Sequence, residues 1–271
     1  MLRLALRVRR EQAELVLAEL LELAPSGVEE SEPEPGIIEY AVYGPPGELP
    51  ALPDLTAAAG GALVEVRTEE VADDWSVRWR DFHRPLVLDG RLTVRPPWEP
   101  PALTPVDVVV DPGQAFGTGA HATTRLCLEL LLDTPEPSGT LVDVGCGSGV
   151  LAIVAARLGF SPVIALDYDP AAVAATKENA ARNDVGIDVR RFDLRETQVP
   201  DGRLVVANVL GAPLRAWAAT QAHFPPELIL SGLLSSEADS VAAAFAARGG
   251  WETERRHRAE WAALRLQFPS G

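Results

Sequence analysis

Residues 140–167 set the strongest constraint on the fold. An apolar run at 140–144 contains Asp143 and leads into Gly145-Cys-Gly147-Ser-Gly149; an apolar helical stretch follows over 150–158, and a second apolar run at 163–167 ends in Asp167. A strand, a glycine turn, a helix and a strand in that order make one crossover unit of a parallel sheet, right-handed because only that hand packs the helix back onto the strands. Glycines in the turn let the main chain approach a ligand closely, and the start of the helix presents unpaired N–H groups. A dinucleotide fingerprint requires G-x-G-x-x-G. Here the third glycine arrives one residue early and position 150 is valine, which disfavours a nicotinamide cofactor. Taken alone, the turn could equally be a tight strand-to-helix corner. Asp167 shifts the balance, because it lies 22 residues past Gly145, at a strand end where a carboxylate can accept hydrogen bonds from both hydroxyls of a ribose. Together they point to an adenosine-containing ligand.

The alternation continues on both sides. Apolar runs at 106–110, 188–192, 204–208 and 227–231 read as strands between Ala- and Leu-rich helical stretches, several of them apolar throughout, as befits strands covered on both faces. Two runs at 251–256 and 261–268, separated by a polar turn, read as a closing hairpin. Residues 106–271 are therefore expected to form a doubly wound, mostly parallel α/β domain. The first 70 residues differ. Period-2 alternation at 2–8, apolar residues at three- and four-residue steps from Ala13 to Ala24, a strand at 37–42, a short helix at 49–59 and a strand at 62–66 describe a small α+β domain. Between the two, residues 71–105 hold a short amphipathic stretch with Asp74, Trp75, Trp79 and Phe82, a strand at 91–94, and Pro96, Pro97, Pro100 and Pro101. This segment is the expected linker.

Charge and cysteine usage narrow the function. The chain has 24 Lys+Arg against 39 Asp+Glu, a formal charge of −15, the wrong sign for holding phosphates, so direct nucleic-acid binding is not expected. A basic protein would be attracted. The imbalance is strongest over residues 1–70, where five arginines face fourteen acidic residues. Cys127 and Cys146 have neither disulfide-framework nor zinc-site spacing, and no metal is expected; a reducing cytoplasm is the simplest setting. Glu11, Glu14, Glu19 and Glu22 interrupt the N-terminal apolar runs, which argues against a signal peptide. No apolar run reaches the roughly 20 residues that cross a bilayer, so no membrane association is expected.

The glycine spacing resembles motif I of class I S-adenosylmethionine (SAM) methyltransferases, which share the doubly wound sheet. In that superfamily the residue at Asp193, after the 188–192 run, contacts the adenine; as a plain turn or capping residue it needs no ligand. Asn208 ends the 204–208 run in Val205-Val-Ala-Asn208-Val-Leu-Gly211-Ala-Pro213. Ligands of open α/β sheets sit beyond the carboxyl ends of the strands, so Asn208 should face the donor methyl. The Pro-Pro-aromatic that follows Asn in nucleobase methyltransferases is missing, which disfavours a stacked base as substrate. Upstream, Asp111-Pro-Gly-Gln-Ala-Phe116-Gly117-Thr118-Gly119-Ala-His121-Ala-Thr123-Thr124 can wrap or lid a ligand, or act as a connector whose Thr123 or Thr124 caps the next helix. His121 is a candidate base, although a lone histidine is more often structural.

Across nearly its whole length the chain resembles the ribosomal protein L11 methyltransferases. The resemblance rests on Asp74-Trp75 and Trp79, Phe116-Gly-Thr-Gly with His121 and Thr123-Thr124, the glycine turn, Asp167-Tyr-Asp-Pro170, Ala207-Asn208-Val-Leu and Ser231-Gly-Leu. It implies a seven-stranded class I sheet, a ferredoxin-like N-terminal domain over 1–70 that recognises substrate, and SAM as the methyl donor. The implied acceptors are lysine side chains and the N-terminal α-amine of L11. Carried over by motif, SAM contacts fall at Thr124, Gly145, Asp167 and Asn208, joined by Asp143, Gly147 and Asp193; Asn208 and His121 are the candidate catalytic residues. Gln114, Ala120 and Ala122 replace the usual Met, Thr and Pro, and Gly211-Ala212 reverses the usual order. A methyltransferase of this fold with another protein or a small molecule as substrate would carry the same SAM motifs, as would a non-catalytic SAM-binding module.

Overall fold

In the computed structural model, which describes residues 2–13, 16–17, 20, 28–44, 63–70, 84–111 and 121–269, the chain divides into two units, Met1–Phe82 and His83–Gly271. The second unit contains β5 (Leu86–Leu88), β6 (Leu92–Arg95), β7 (Val106–Val109), α1 (Ala122–Leu132), β8 (Leu141–Val144), α2 (Val150–Leu158), β9 (Val163–Asp167), α3 (Pro170–Arg182), β10 (Asp188–Arg191), β11 (Leu204–Asn208), α4 (Gly211–Thr220), β12 (Glu227–Leu234), α5 (Ala238–Ala246), β13 (Trp251–Arg258) and β14 (Trp261–Gln267). Seven strands form one sheet in the order β10-β9-β8-β11-β12-β14-β13. The first five run parallel; β14 and β13 are the antiparallel closing hairpin expected from sequence.

Side chains alternate across the strands, so each feeds two cores. Leu204 and Val206 of β11 pack with α1 and α2, whereas Val205 and Ala207 pack with Leu214 and Trp217 of α4 and Phe245 of α5. This double coverage is why the central strands read as continuous apolar runs. The run at 106–110 was expected in this sheet and lies elsewhere. β7 pairs parallel with β6, which pairs antiparallel with β5, in a separate three-stranded sheet whose Leu88, Leu92, Val94 and Val108 join the α1/α2 core. The second half of the 71–105 segment is thus a folded part of the larger unit.

The first unit holds β1 (Leu2–Arg9), β2 (Glu29–Glu34), β3 (Ile37–Gly44) and β4 (Leu63–Glu70) in an antiparallel sheet of order β2-β3-β1-β4. Leu4, Leu6 and Val8 of β1 bury against Ile38, Tyr40 and the helical Ala13, Val16 and Leu20. β2 carries no apolar alternation, because its place at the exposed edge asks only for main-chain pairing with β3. The rest of the helix expected over 13–24, the helix at 49–59, the amphipathic stretch around Trp75 and Trp79, and Phe116 to Gly119 lie outside the described residues. Among the described residues, no helix is long and apolar enough to cross a membrane. Both thiols, Cys127 and Cys146, are free and buried.

Candidate active site

The chain leaves β8 toward β9 and β10 on one side of the sheet and toward β11 and β12 on the other. The loops after β8 and β11 therefore diverge and open a crevice at the carboxyl ends of the parallel strands. A cavity of about 550 Å³ lies there, lined by His121, Gly145, Asp167, Asp193 and Asn208 among others, within the roughly 300–1,000 Å³ usual for small-molecule sites. Thr124, Gly147 and Asp143, also singled out from sequence, are not in its lining; Thr124 and Gly147 bond residues that are, Asn208 and Asp167, whereas Asp143 bonds Ala152 outside it.

Gly145 has φ +77°, and a Cβ there would meet Val209 Cγ1 at 2.6 Å. The turn thus presses its bare main chain against the loop after β11, which a side chain would prevent. Gly147 donates its N–H to Asp167 Oδ2 at 2.9 Å, and Asp169 donates to Oδ1 at 3.0 Å. These two bonds fix a carboxylate that is only 8% exposed and leave each oxygen with capacity to accept a further hydrogen bond. Asp143 lies beneath the turn, fully buried. Its Oδ2 accepts from Ala152 N–H in α2 at 3.1 Å, while no group among the described residues bonds Oδ1. Burial pushes its pKa up to about 7, with Ala152 opposing and the charge of Asp167 adding. Its place is a brace between β8 and α2 below the cavity.

On the opposite wall Asn208 donates from Nδ2 to Thr124 Oγ1 at 3.2 Å. Thr124 is buried, so it sets the rotation of the Asn208 amide from behind. His121, not Thr123 or Thr124, caps α1: its Nδ1 pairs with Thr123 Oγ1 at 2.8 Å and accepts from Thr123 N–H at 3.4 Å. The ring meets Trp261 edge-on with centroids 5.1 Å apart. Burial lowers the His121 pKa and favours the neutral imidazole, opposed by the charge of Glu260. Asp193 makes a turn at the rim. Its Oδ1 accepts from Arg195 N–H and Nε, both at 2.9 Å, and its Oδ2 from Nη2 at 2.7 Å. The Arg195 guanidinium and N–H hold its pKa down to about 2.

Sequence reasoning missed several lining residues, among them Tyr168, Phe192, Gly232 and Trp261. Gly232, at φ +81°, would place a Cβ 2.5 Å from the Val209 carbonyl oxygen, so β12 can approach the Asn208 loop only as glycine. The quoted Ser231-Gly-Leu was the available signal. Trp261 enters from β14, remote in sequence, and nothing local marks it.

Comparison with known proteins decides the family. A family model described as Ribosomal protein L11 methyltransferase (PrmA) matches residues 54–269. The chain belongs to the ribosomal protein L11 methyltransferase family. It is 43% identical over 187 residues to the ribosomal protein L11 methyltransferase of Aliivibrio salmonicida, spanning 66% of this chain but only 63% of that protein's length. With its counterpart from Pelotomaculum thermopropionicum it shares 41% identity over 212 residues, 75% of this chain and 69% of the other. Its fold resembles the crystal structure of the ribosomal protein L11 methylase from Lactobacillus delbrueckii subsp. bulgaricus, with TM-score 0.62 and 26% identity over 70% of this chain and 100% of that one. The L11 methyltransferase match covers most of the larger unit and every described residue named above in the cavity wall.

Proposed function

We propose that this chain transfers methyl groups from SAM to amino groups of ribosomal protein L11, namely lysine ε-amines and the N-terminal α-amine. The observation that carries the reading is the orientation of Asn208. With Nδ2 committed to Thr124, its carbonyl Oδ1 is the end available to meet an amine at the wall of the cavity that also holds Asp167.

The residues fit SAM. Asp167 would take the ribose hydroxyls, the bare main chain at Gly145 would admit the donor closely, and Phe192 and Leu194 with the Asp193–Arg195 pair would border the adenine. When bound, SAM supplies a methyl on a sulfonium, open to in-line displacement by a nitrogen lone pair. The chain must deliver that nitrogen uncharged, whereas a free lysine amine has a pKa of about 10.4. A cavity lined largely by apolar side chains favours the neutral amine by desolvation. Asn208 Oδ1 accepts an N–H of the amine and aims the lone pair; the bond strengthens as the nitrogen becomes positive, so it lowers the barrier. His121, its Nδ1 engaged by Thr123, orients the wall, and the released proton passes to water.

We infer a division of labour: residues 1–70 recognise L11, residues 106–271 carry out transfer, and 71–105 connect them. The strand order β2-β3-β1-β4 supports a ferredoxin-like reading of the small unit, and its excess of acidic residues suits a basic, lysine-bearing protein. A ribosomal substrate suits a cytoplasmic setting. The test is incubation with radiolabelled SAM and large-subunit ribosomal proteins. Label on L11 supports the reading; label only on another protein overturns the substrate; and SAM binding without transfer to any of them leaves a binding module.

A further inference from the structure

The inner face of α3 buries polar side chains beside Ala172 and Ala180, where a helix on a sheet normally presents larger apolar ones. Thr176 and Asn179, with Asn183 at the C-cap, recur at three- and four-residue steps, and all are buried. Burying amides is costly unless they are bonded, and each of these is bonded to main chain. Thr176 Oγ1 donates to Gly147 O at 2.9 Å. Asn183 accepts from Val109 N–H at 2.8 Å and donates to Val109 O at 2.6 Å. Asn179 alone reaches both segments: Nδ2 donates to Ser148 O in the glycine turn at 3.0 Å, and Oδ1 accepts from Asp111 N–H at 3.0 Å. Arg182 reinforces the second contact by donating to Asn179 Oδ1 at 3.0 Å and pairing with Asp111 Oδ2 at 3.3 Å. Asp111 follows the end of β7, and the glycine turn reaches the cavity wall at Gly145.

We propose that Asn179 is a positioning residue for the methyl donor, holding the glycine turn against the chain at the end of β7 through its bonds to Ser148 and Asp111. The inference rests on the SAM reading above. It assigns Asn179 an effect on donor affinity through Ser148 and Asp111, with none on the chemistry at Asn208. Asn183, the C-cap of the same helix, is the control: it is also buried, bonds Val109 and the Asn179 carbonyl, and makes no bond to the glycine turn.

The test uses the full chain, calorimetric binding of S-adenosylhomocysteine, and steady-state kinetics with L11. Asn179→Ala should raise the Kd for S-adenosylhomocysteine and the KM for SAM about ten-fold, while kcat at saturating SAM stays within about three-fold. Asn183→Ala should leave both constants within about three-fold even where its melting temperature falls as far. Asn179→Asp keeps the side-chain shape and the acceptor for Asp111 but loses the donor to Ser148; it should also weaken binding, and it decides the matter if the alanine variant does not fold. Unchanged Kd in Asn179→Asp, or an equal rise in Asn183→Ala, overturns the proposal. A wild-type chain that binds no S-adenosylhomocysteine overturns the SAM reading itself and this inference with it.

Discussion

Asn208 and Asp143 end neighbouring strands of the same sheet or lie near their ends, yet one faces the cavity and the other the floor beneath it. On the proposed reading Asn208 is an oriented acceptor that matters most in the transition state, and removing it should lower kcat about 10²-fold. Asn208→Ala should meanwhile bind SAM within a few-fold of wild type, as measured by calorimetry beside single-turnover rates. A collapse of SAM affinity would make Asn208 chiefly a donor ligand. For Asp143 the readout is stability. Its folded pKa of about 7 stands above the roughly 3.9 of an unfolded aspartate. Between those values the folded chain holds a proton that the unfolded chain has released, so this residue erodes stability as pH rises through the window and the loss is complete above pH 7. Asp143→Asn keeps an acceptor for Ala152 and removes the titration. Its melting temperature relative to wild type should be higher at pH 8 than at pH 4.5, and a difference independent of pH would contradict the burial-driven shift.

Elements are joined at their ends by charged side chains. Asp133 closes α1, with Oδ1 accepting from Arg91 of the β5–β6 turn at 2.7 Å and Oδ2 from Arg256 of β13 at 2.8 Å. Arg256 and Arg91 hold its pKa below the usual range. A depressed folded pKa gives stabilisation that is present above the unfolded value and lost as pH falls. Because the side chain is 44% exposed, solvent screening keeps the effect to about 1 kcal/mol at most. Asp133→Asn should lower the melting temperature at pH 7 by about 2–4 °C; the gap should shrink in high salt and close as pH falls through the lowered folded pKa, which thermal melts across pH can check. Element identity was legible wherever periodicity matched the environment: α2 and β9 follow from runs buried on both faces. The run at 106–110 announced a strand but not its sheet, since burial looks the same from either partner. β2 was silent because an exposed edge strand needs no apolar residues, and the polar stripe of α3 reads like a solvated face until its partners are known. In the site, Gly145 and Asp167 were legible because local chain geometry demands them, whereas Trp261 reaches the cavity only through the tertiary fold.

On the scale of the whole chain, all the described residues lining the cavity belong to the unit His83–Gly271. A truncated chain beginning at His83, which retains β5 and β6 as partners of β7, should bind S-adenosylhomocysteine with wild-type affinity and lose methylation of intact L11. Full activity on L11 would contradict a substrate-recognition role for the small unit. The hairpin carries a different consequence, one of timing. β14 is the last strand in sequence yet lies inside the sheet between β12 and β13, and its first residue, Trp261, forms part of the cavity wall. During translation, therefore, β12 keeps an open edge and the pocket lacks a wall until residues up to Gln267 have left the ribosome. The cavity is thereby completed only once β14 has taken its place between β12 and β13, and a chain stalled before Trp261 would lack that part of the wall.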